Sequence, residues 1–243
     1  MATISSRLTS TGTMLVNGTI DEFTGAPVID GNVVLWVDAG QTTSYSGSGT
    51  TWTDLSGYGN NGTLTNGPTF SSANGGSIVF DGTNDRVNFS TNSAFNFGTG
   101  NFSIFSWINT TKISGYGTIF SLDDDATGYG IIMYVVATSG VLRTWVAFSY
   151  QNTSISIADG TWKYVGITRS SGTVYQYING TSVGNFSAAG SVTSNQHPTI
   201  GIYYNGADYM YQGNIATTQV YNRALSATEV LQNYNATKRR FGL

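Results

Sequence analysis

Side-chain catalysis needs a nucleophile or proton carrier held by an orienting partner, and this 243-residue chain offers few of either. It has one histidine, His197, followed directly by Pro198, and no cysteine. A Ser-His-Asp arrangement would rest wholly on His197, and a Cys-His arrangement has no thiol. A zinc site normally draws several ligands from His and Cys, and those ligands are absent. Glycoside hydrolysis is the enzymatic alternative that stays open. It needs two carboxylates, ~5–5.5 Å apart for retention or ~6.5–9.5 Å for inversion. The thirteen acids are Glu22, Glu229 and eleven aspartates that fall mainly in turns. Neither glutamate has a second acid at i+2 or i+4, the spacing that sets two side chains on one face of a strand. The inventory therefore predicts no catalytic residues, unless two aspartates meet from separate loops.

The aromatic residues suit a different chemistry. Apolar sugar faces stack on rings while sugar hydroxyls bond to amides and carboxylates. The densest such group is Tyr203, Tyr204 and Asn205 with Tyr209, Tyr211 and Gln212, and Tyr116 and Tyr129 stand in other loops. Tyr203, Tyr204, Tyr209, Tyr211 and Gln212 are thus the candidate glycan-binding set. Trp36, Trp107, Trp145 and Trp162 lie inside apolar runs and are predicted to be core, whereas Trp52 in a Gly/Ser/Thr loop reads as a loop anchor.

The elements that must carry these residues are strands. Charged residues make up only 9% of the chain, far below the roughly 25% usual for soluble proteins, so Ser, Thr, Asn and Gly must supply the polar surface. Apolar runs recur at Val33–Val37, Ser77–Phe80, Phe102–Ile108, Thr118–Leu122, Tyr129–Val136, Val141–Phe148, Trp162–Thr168, Thr173–Ile178, Thr199–Tyr204 and Ile215–Tyr221. Turn pairs such as Ser171-Gly172 and Asn179-Gly180 separate them. That rhythm predicts an all-β antiparallel sandwich. One helix is signalled by the capping box Ser226-Ala227-Thr228-Glu229, followed by Val230, Leu231 and Tyr234 on one side; it is expected at the sandwich edge. Residues 1–30 read as an extended N-terminal arm for assembly or docking, and residues 31–243 as one domain. With a net charge of −3 and Lys238-Arg239-Arg240 as the one basic cluster, no nucleic-acid footprint is expected. No apolar run reaches the ~18 residues of a membrane span, and the first residues carry no secretory pattern.

Several segments resemble laminin G-like domains of the concanavalin A-like lectin class. Ser77–Val87 is similar to their "FDG-x-x-D-x-V" strand-turn-strand, Phe102–Trp107 to the strand that follows, and Asp159–Val165 to the "G-x-W-x-x-V" strand. Tyr175–Gly180 is similar to the "Y-x-(D/N)-G" hairpin, and Gly213–Ser226, ending Val-Tyr-Asn-Arg-Ala-Leu-Ser, to the last strand and its turn into the helix. The lead-in Val34–Gly40 with Ser44–Gly57, and the ending Asn233–Leu243, resemble laminin G-like proteins of tailed bacteriophages. The resemblance implies a jelly-roll sandwich with one short C-terminal helix, in a virion structural protein: a capsid decoration, a fibre or a tail-associated protein. The implied place is the virion, after assembly in the host bacterial cytoplasm. Implied partners are other virion proteins through residues 1–30, further copies of the chain, and cell-surface glycans. A cellular lectin or adhesin module is the alternative from another class. Many relatives carry Ca²⁺, which takes six to eight oxygen ligands. Asn84 and Asp85, brought to Asn205 and Asp208 by the family topology, form the first candidate metal set; the run Asp123-Asp124-Asp125 is the second. Ala216 stands where relatives carry an aspartate.

Overall fold

The computed structural model describes residues 27–122, 129–193, 197–203 and 209–243, together with the backbone of two short strands, β1 (Leu15–Val16) and β2 (Thr19–Ile20), which pair with each other. The remaining strands follow in chain order. They are β3 (Val33–Asp38), β4 (Thr51–Trp52), β5 (Gly62–Thr65), β6 (Thr69–Ser71), β7 (Ser77–Asp81), β8 (Arg86–Phe89), β9 (Phe102–Asn109) and β10 (Gly117–Leu122). Then come β11 (Ile131–Val135), β12 (Val141–Val146), β13 (Ser149–Ser156), β14 (Lys163–Ser170), β15 (Thr173–Ile178), β16 (Thr181–Ser187), β17 (Thr199–Ile200) and β18 (Gln212–Tyr221). Helix α1 (Ala227–Thr237) and a 3-10 turn over Lys238–Phe241 close the chain.

The strands form two antiparallel sheets packed face to face. The front sheet runs β13-β12-β11-β10-β17-β8-β5-β4, and the back sheet runs β16-β15-β14-β9-β18-β7-β6. Strand β3 joins the back sheet end to end with β7: Gln212–Ile215 of β18 pair with β7, and Thr217–Tyr221 pair with β3. The core between the sheets holds inward residues of both, among them Leu35, Ile104, Phe120, Met133, Leu142, Ile167 and Val220. Each such side chain removed from water contributes roughly 1.5–3 kcal/mol against the entropy of ordering the chain.

One polar pair bridges the two sheets through this core. Gln176 Nε2 of the back sheet donates to Thr144 Oγ1 of the front sheet at 3.1 Å. Arg169 is fully buried; its guanidinium lies over the Phe102 ring and donates to the carbonyls of Gly98, Gly100 and Gly190. Burial pulls its pKa down to about 10, so it stays charged at neutral pH and ties two loops to the sandwich end.

The expected strands Val33–Val37, Ser77–Phe80 and Phe102–Ile108 all form. Ser171-Gly172 and Asn179-Gly180 both take positive φ, as primed hairpin turns require. The run Val141–Phe148 departs from expectation. It ends at Val146, and Ala147 and Phe148 take φ of 44° and 67° to turn into β13, a strand the sequence did not announce. No glycine or asparagine marks that turn, which is why the apolar run reads straight through it. Thr199–Tyr204 likewise contracts to the two residues of β17.

The capping box forms as expected, with the Glu229 N–H donating to Ser226 Oγ and the Ser226 N–H donating to the Glu229 carboxylate. The helix does not sit at the sandwich edge. It lies on the outer face of the back sheet, where Val230, Leu225 and Phe241 cover Phe105, Trp107, Tyr164, Tyr177 and Tyr221. Residues 27–30, read as the end of the arm, are part of this cover. The Val28 N–H donates to Asn233 Oδ1, the Tyr221 hydroxyl donates to the Val28 carbonyl, and Arg223 bridges Asp30 and Glu229. The remainder of the arm falls outside the described residues apart from β1 and β2.

Candidate functional site

The front sheet has no helix over its outer face among the described residues. Its strands alternate, so Leu142 and Val146 of β12 point into the core while Val141, Arg143 and Trp145 point outward. Register then aligns outward residues in rows: Ile132, Trp145 and Tyr150 in one, and Tyr134, Arg143 and Asn152 in the next. Trp145 and Tyr150 are stacked, with centroids 5.7 Å apart and planes at 6°. Tyr150 is 56% exposed. Two loops bring further rings to the same face. Tyr116 precedes β10 and Tyr209 precedes β18, and a backbone bond from the Thr118 N–H to the Tyr209 carbonyl pins one loop to the other. Tyr116 and Tyr209 lie 4.7 Å apart, Tyr134 packs edge-on against Tyr116, and Tyr203 stacks on Tyr209 at 5.5 Å.

Arg143 sits at the middle of these rings. Its guanidinium carbon is 5.0 Å from the centre of Tyr150, 5.6 Å from Tyr134 and 5.9 Å from Tyr116, distances at which ring quadrupoles attract a cation. Nε donates to Asn152 Oδ1 at 2.5 Å and Nη1 to the Tyr134 hydroxyl at 3.3 Å, while Nη2 has no partner among the described residues. Burial works against the Arg143 charge, but the Tyr134 hydrogen bond and the surrounding tyrosines outweigh it and hold its pKa above the usual value. Burial raises the Tyr134 hydroxyl, opposed by Arg143. Two buried hydroxyls, Thr118 Oγ1 and Ser121 Oγ, lie in the same cross-strand rows without a partner among the described residues. The face thus offers broad ring surface and unspent guanidinium donors, with the Thr118 and Ser121 hydroxyls buried beneath, and none of the described carboxylates takes part in it.

Of the glycan-binding candidates, Tyr203 and Tyr209 stand on this face. Tyr211 does not. Its ring is fully buried in the inter-sheet core, edge-on to Phe80, with the hydroxyl on the Asn109 and Asn214 carbonyls. It follows Tyr209 by two residues, but the chain between them turns inward to start β18, so the ring fills the core instead of meeting solvent. Gln212 is exposed at the start of β18 on the back sheet, paired with Asp81, away from the rings. Tyr204 lies outside the described residues. Tyr129 is exposed beside Phe148. The residues missed at the sequence level are Tyr134, Arg143, Trp145, Tyr150 and Asn152; the signal was the i, i+2 spacing of Ile132/Tyr134 and Arg143/Trp145.

The tryptophans also fall differently from expectation. Trp36 and Trp145 are half-buried on outer faces, and Trp107 and Trp162 are buried under the helix instead of between the sheets. Trp52, the loop residue, is the one in the inter-sheet core, fully enclosed.

For the first metal set, Asn205 and Asp208 lie outside the described residues, as does the Asp123-Asp124-Asp125 run. Asp85 is buried and its Oδ2 accepts the Asp81 N–H at 3.0 Å, while Asn84 is exposed and its carbonyl accepts from Asn66 Nδ2. Burial raises the Asp85 pKa, Asp81 adds to the rise, and the Asp81 N–H opposes it. Asp85 Oδ1 has no hydrogen-bond partner among the described residues, which leaves it and the Asn84 side chain as the oxygens that could meet an ion.

The family model for the concanavalin A-like lectin/glucanases superfamily, of laminin G type, matches residues 81–231. Solved structures share the architecture at low identity. The binding domain of Paraclostridial Mosquitocidal Protein 1 aligns with a TM-score of 0.68 and 19% identity, over 84% of this chain and 52% of that one. The binding domain of Botulinum Neurotoxin DC in complex with SialylT aligns at 0.65 and 17%, over 85% and 52%. Domain 4 of AbnA, a GH43 extracellular arabinanase from Geobacillus stearothermophilus, in complex with arabinotriose, aligns at 0.63 and 16%, over 84% and 98%. The chain spans about half the length of the toxin binding domains and nearly all of the arabinanase domain. No curated protein sequence matches it. At these identities the structural likeness establishes the fold.

Proposed function

The chain belongs to the concanavalin A-like lectin/glucanases superfamily, and on that premise we propose that it is a carbohydrate-binding domain that takes saccharides on the aromatic face of its front sheet. The observation that carries this reading is the ring array centred on Arg143, left without a helical cover among the described residues while the opposite face has one. Two of the similar structures are named with a bound saccharide, SialylT and arabinotriose. An array of bacterial and animal glycans, followed by calorimetry on the hits, tests it. An aromatic contact is worth ~0.5–1.5 kcal/mol, so Trp145→Ala and Tyr150→Ala together should weaken binding by about tenfold or more. Retention of no glycan, or equal affinity in the double variant, would falsify the reading.

The reading is of binding without catalysis. Among the described residues, Asp38 is paired with Arg240, Asp30 and Glu229 with Arg223, and Asp159 with Lys163. Asp54 is taken up by the N–H groups of Trp36, Ser56 and Asn60. Release of reducing ends from any polysaccharide the protein retains would overturn this part.

We place the domain on a phage virion, with residues 1–30 as its attachment to other virion proteins and the sandwich displayed in several copies toward cell-surface glycans. The support is the resemblance of Val34–Gly57 and Asn233–Leu243 to phage laminin G-like proteins. Mass spectrometry of purified particles should find the chain, and its absence from them would remove this placement. A Ca²⁺ ion at the Asn84–Asp85 turn belongs to the same proposal. Chelation should then lower the thermal midpoint, by the equivalent of ~2.7 kcal/mol when the ion had been at a hundred times its dissociation constant.

A further inference from the structure

The back sheet carries a second place where polar groups are buried without being used. On its outer face, Trp36 of β3 is in register with Gln219 of β18, and Asp38 with Thr217, which is in turn in register with Trp107 of β9. The helix and its 3-10 extension cover Trp107, and between them and β3 a cavity of about 280 Å³ remains. Gln219 and Thr217 each line it and are only 6% exposed. Neither side chain makes a hydrogen bond to any described residue. Their polar atoms reach the solvent of the cavity, so an amide and a hydroxyl stand together there for a partner from outside the chain.

The charges in the cavity cancel. Asp38 Oδ1 accepts from Arg240 Nη1 at 2.6 Å and from the Gly40 N–H at 2.8 Å. Arg240 spends its remaining nitrogens on the carbonyls of Asn74 and Gly76. Asp38 Oδ2 keeps free accepting capacity among the described residues. The offer is therefore one amide donor and acceptor, one hydroxyl, one carboxylate oxygen and the half-buried indole of Trp36. An anionic ligand would meet Asp38 with no unpaired cation to receive it. A wholly apolar ligand would leave Gln219 unpaired. The volume lies just under the ~300 Å³ at which ordinary ligand pockets begin, enough for a single small ring.

We propose that this cavity binds one ring of a neutral, hydroxyl-rich ligand, a hexose or pentose unit, seated against Trp36 and held by Gln219, Thr217 and Asp38. It is a site separate from the front face, on the opposite side of the sandwich, and stands whether or not the front face binds glycans.

The test is NMR titration of the full chain with glucose, galactose, arabinose and xylose, following the Gln219 side-chain amide, with a crystal soak of the best ligand. At least one sugar should shift that resonance saturably in the millimolar range, and the shift should persist in Tyr150→Ala. Gln219→Leu removes the cavity-facing amide at similar volume, so it should keep the thermal midpoint and lose binding at least tenfold, read from Trp36 indole shifts. Should that variant fail to fold, Thr217→Val deletes a single hydroxyl and should weaken binding severalfold. The proposal is overturned if no sugar shifts Gln219, if Gln219→Leu binds as well as the parent, or if saturating sugar leaves only ordered water in the cavity.

Discussion

The two outer faces of the sandwich start from similar material and end differently. Each carries outward-facing aromatic residues on its strands: Phe105, Trp107, Tyr164 and Tyr177 on the back, and Tyr134, Trp145 and Tyr150 with loop tyrosines on the front. On the back, the helix closes over the rings. Trp107 stacks on Phe241 at 4.2 Å and on Tyr234 at 5.8 Å, and donates Nε1–H to Thr237 Oγ1 at 2.8 Å. On the front, the rings pack on one another and on Arg143, and Tyr150 keeps a face in water. The same chemistry becomes a packed layer where a lid is supplied, and where no lid is described it leaves the surface on which we propose that saccharides bind.

That contrast predicts unequal costs of truncation. Trp107→Ala removes a buried ring, its stacking partners' contacts and the Thr237 bond, and should cost ~3–5 kcal/mol in denaturant unfolding. Trp145→Ala, a half-buried ring on the open face, should cost about 1 kcal/mol. Equal costs would mean that the front face is also a packed layer, covered by something the sandwich alone does not show.

The apolar strands and the helix of this fold were legible in the sequence because each has a local cause, a β-branched run, a Gly-bearing primed turn or a capping box, whereas polar strands such as β13 and β16 were not. Which side of a strand a residue faces has no such local marker in runs that are apolar throughout. Phe102–Asn109 is buried over seven of its eight residues, on one side by the other sheet and on the other by the helix. Trp107 therefore read correctly as buried, but its layer was invisible. Trp145 read wrongly because β12 is not such a run: Arg143 beside it already shows that this side is wet. Tyr203 and Tyr209 were found by density of aromatics, whereas Tyr134, Arg143 and Tyr150 come together only through β11–β12–β13 register. The unmarked Ala147-Phe148 turn hid that register.

The next effect concerns how the lid is held. Ser226→Ala deletes the side-chain acceptor for the Glu229 N–H, at an expected cost of about 1 kcal/mol. The loss should appear as faster amide exchange in α1 and around Trp107, with the front-sheet strands unchanged. Uniform loosening of both sheets would show that lid and sandwich unfold as one unit.

Acid should act on the same lid. The Arg223 guanidinium, with the Ser226 N–H, holds the Glu229 pKa at about 2 despite the opposing effect of burial. Its unfolded value is near 4.5, so the folded state binds this proton more weakly than the unfolded one. The contribution is complete above about pH 4.5 and is lost as pH falls toward 2. The pair is partly exposed, so the loss should be at most about 1 kcal/mol and smaller in high salt. Thermal midpoints measured from pH 7 to pH 3 should fall less steeply in Glu229→Gln than in the parent. The front face has no described carboxylate, so binding there should hold over the same range.

The smallest expected effect on stability separates the faces most cleanly. Tyr150 is 56% exposed and stacks on Trp145 from the solvent side. Removing it takes away little buried area, so Tyr150→Ala should change unfolding free energy by no more than about 0.5 kcal/mol. It also removes the ring nearest the Arg143 guanidinium, which is where a saccharide on this face would be held. Truncating a residue kept for packing costs stability alone, whereas truncating one kept for recognition costs binding alone. Thermal melts and glycan calorimetry on the same preparation of Tyr150→Ala decide between them: an unchanged midpoint with binding weakened severalfold assigns the open face to recognition, and a fallen midpoint with intact binding assigns it to packing.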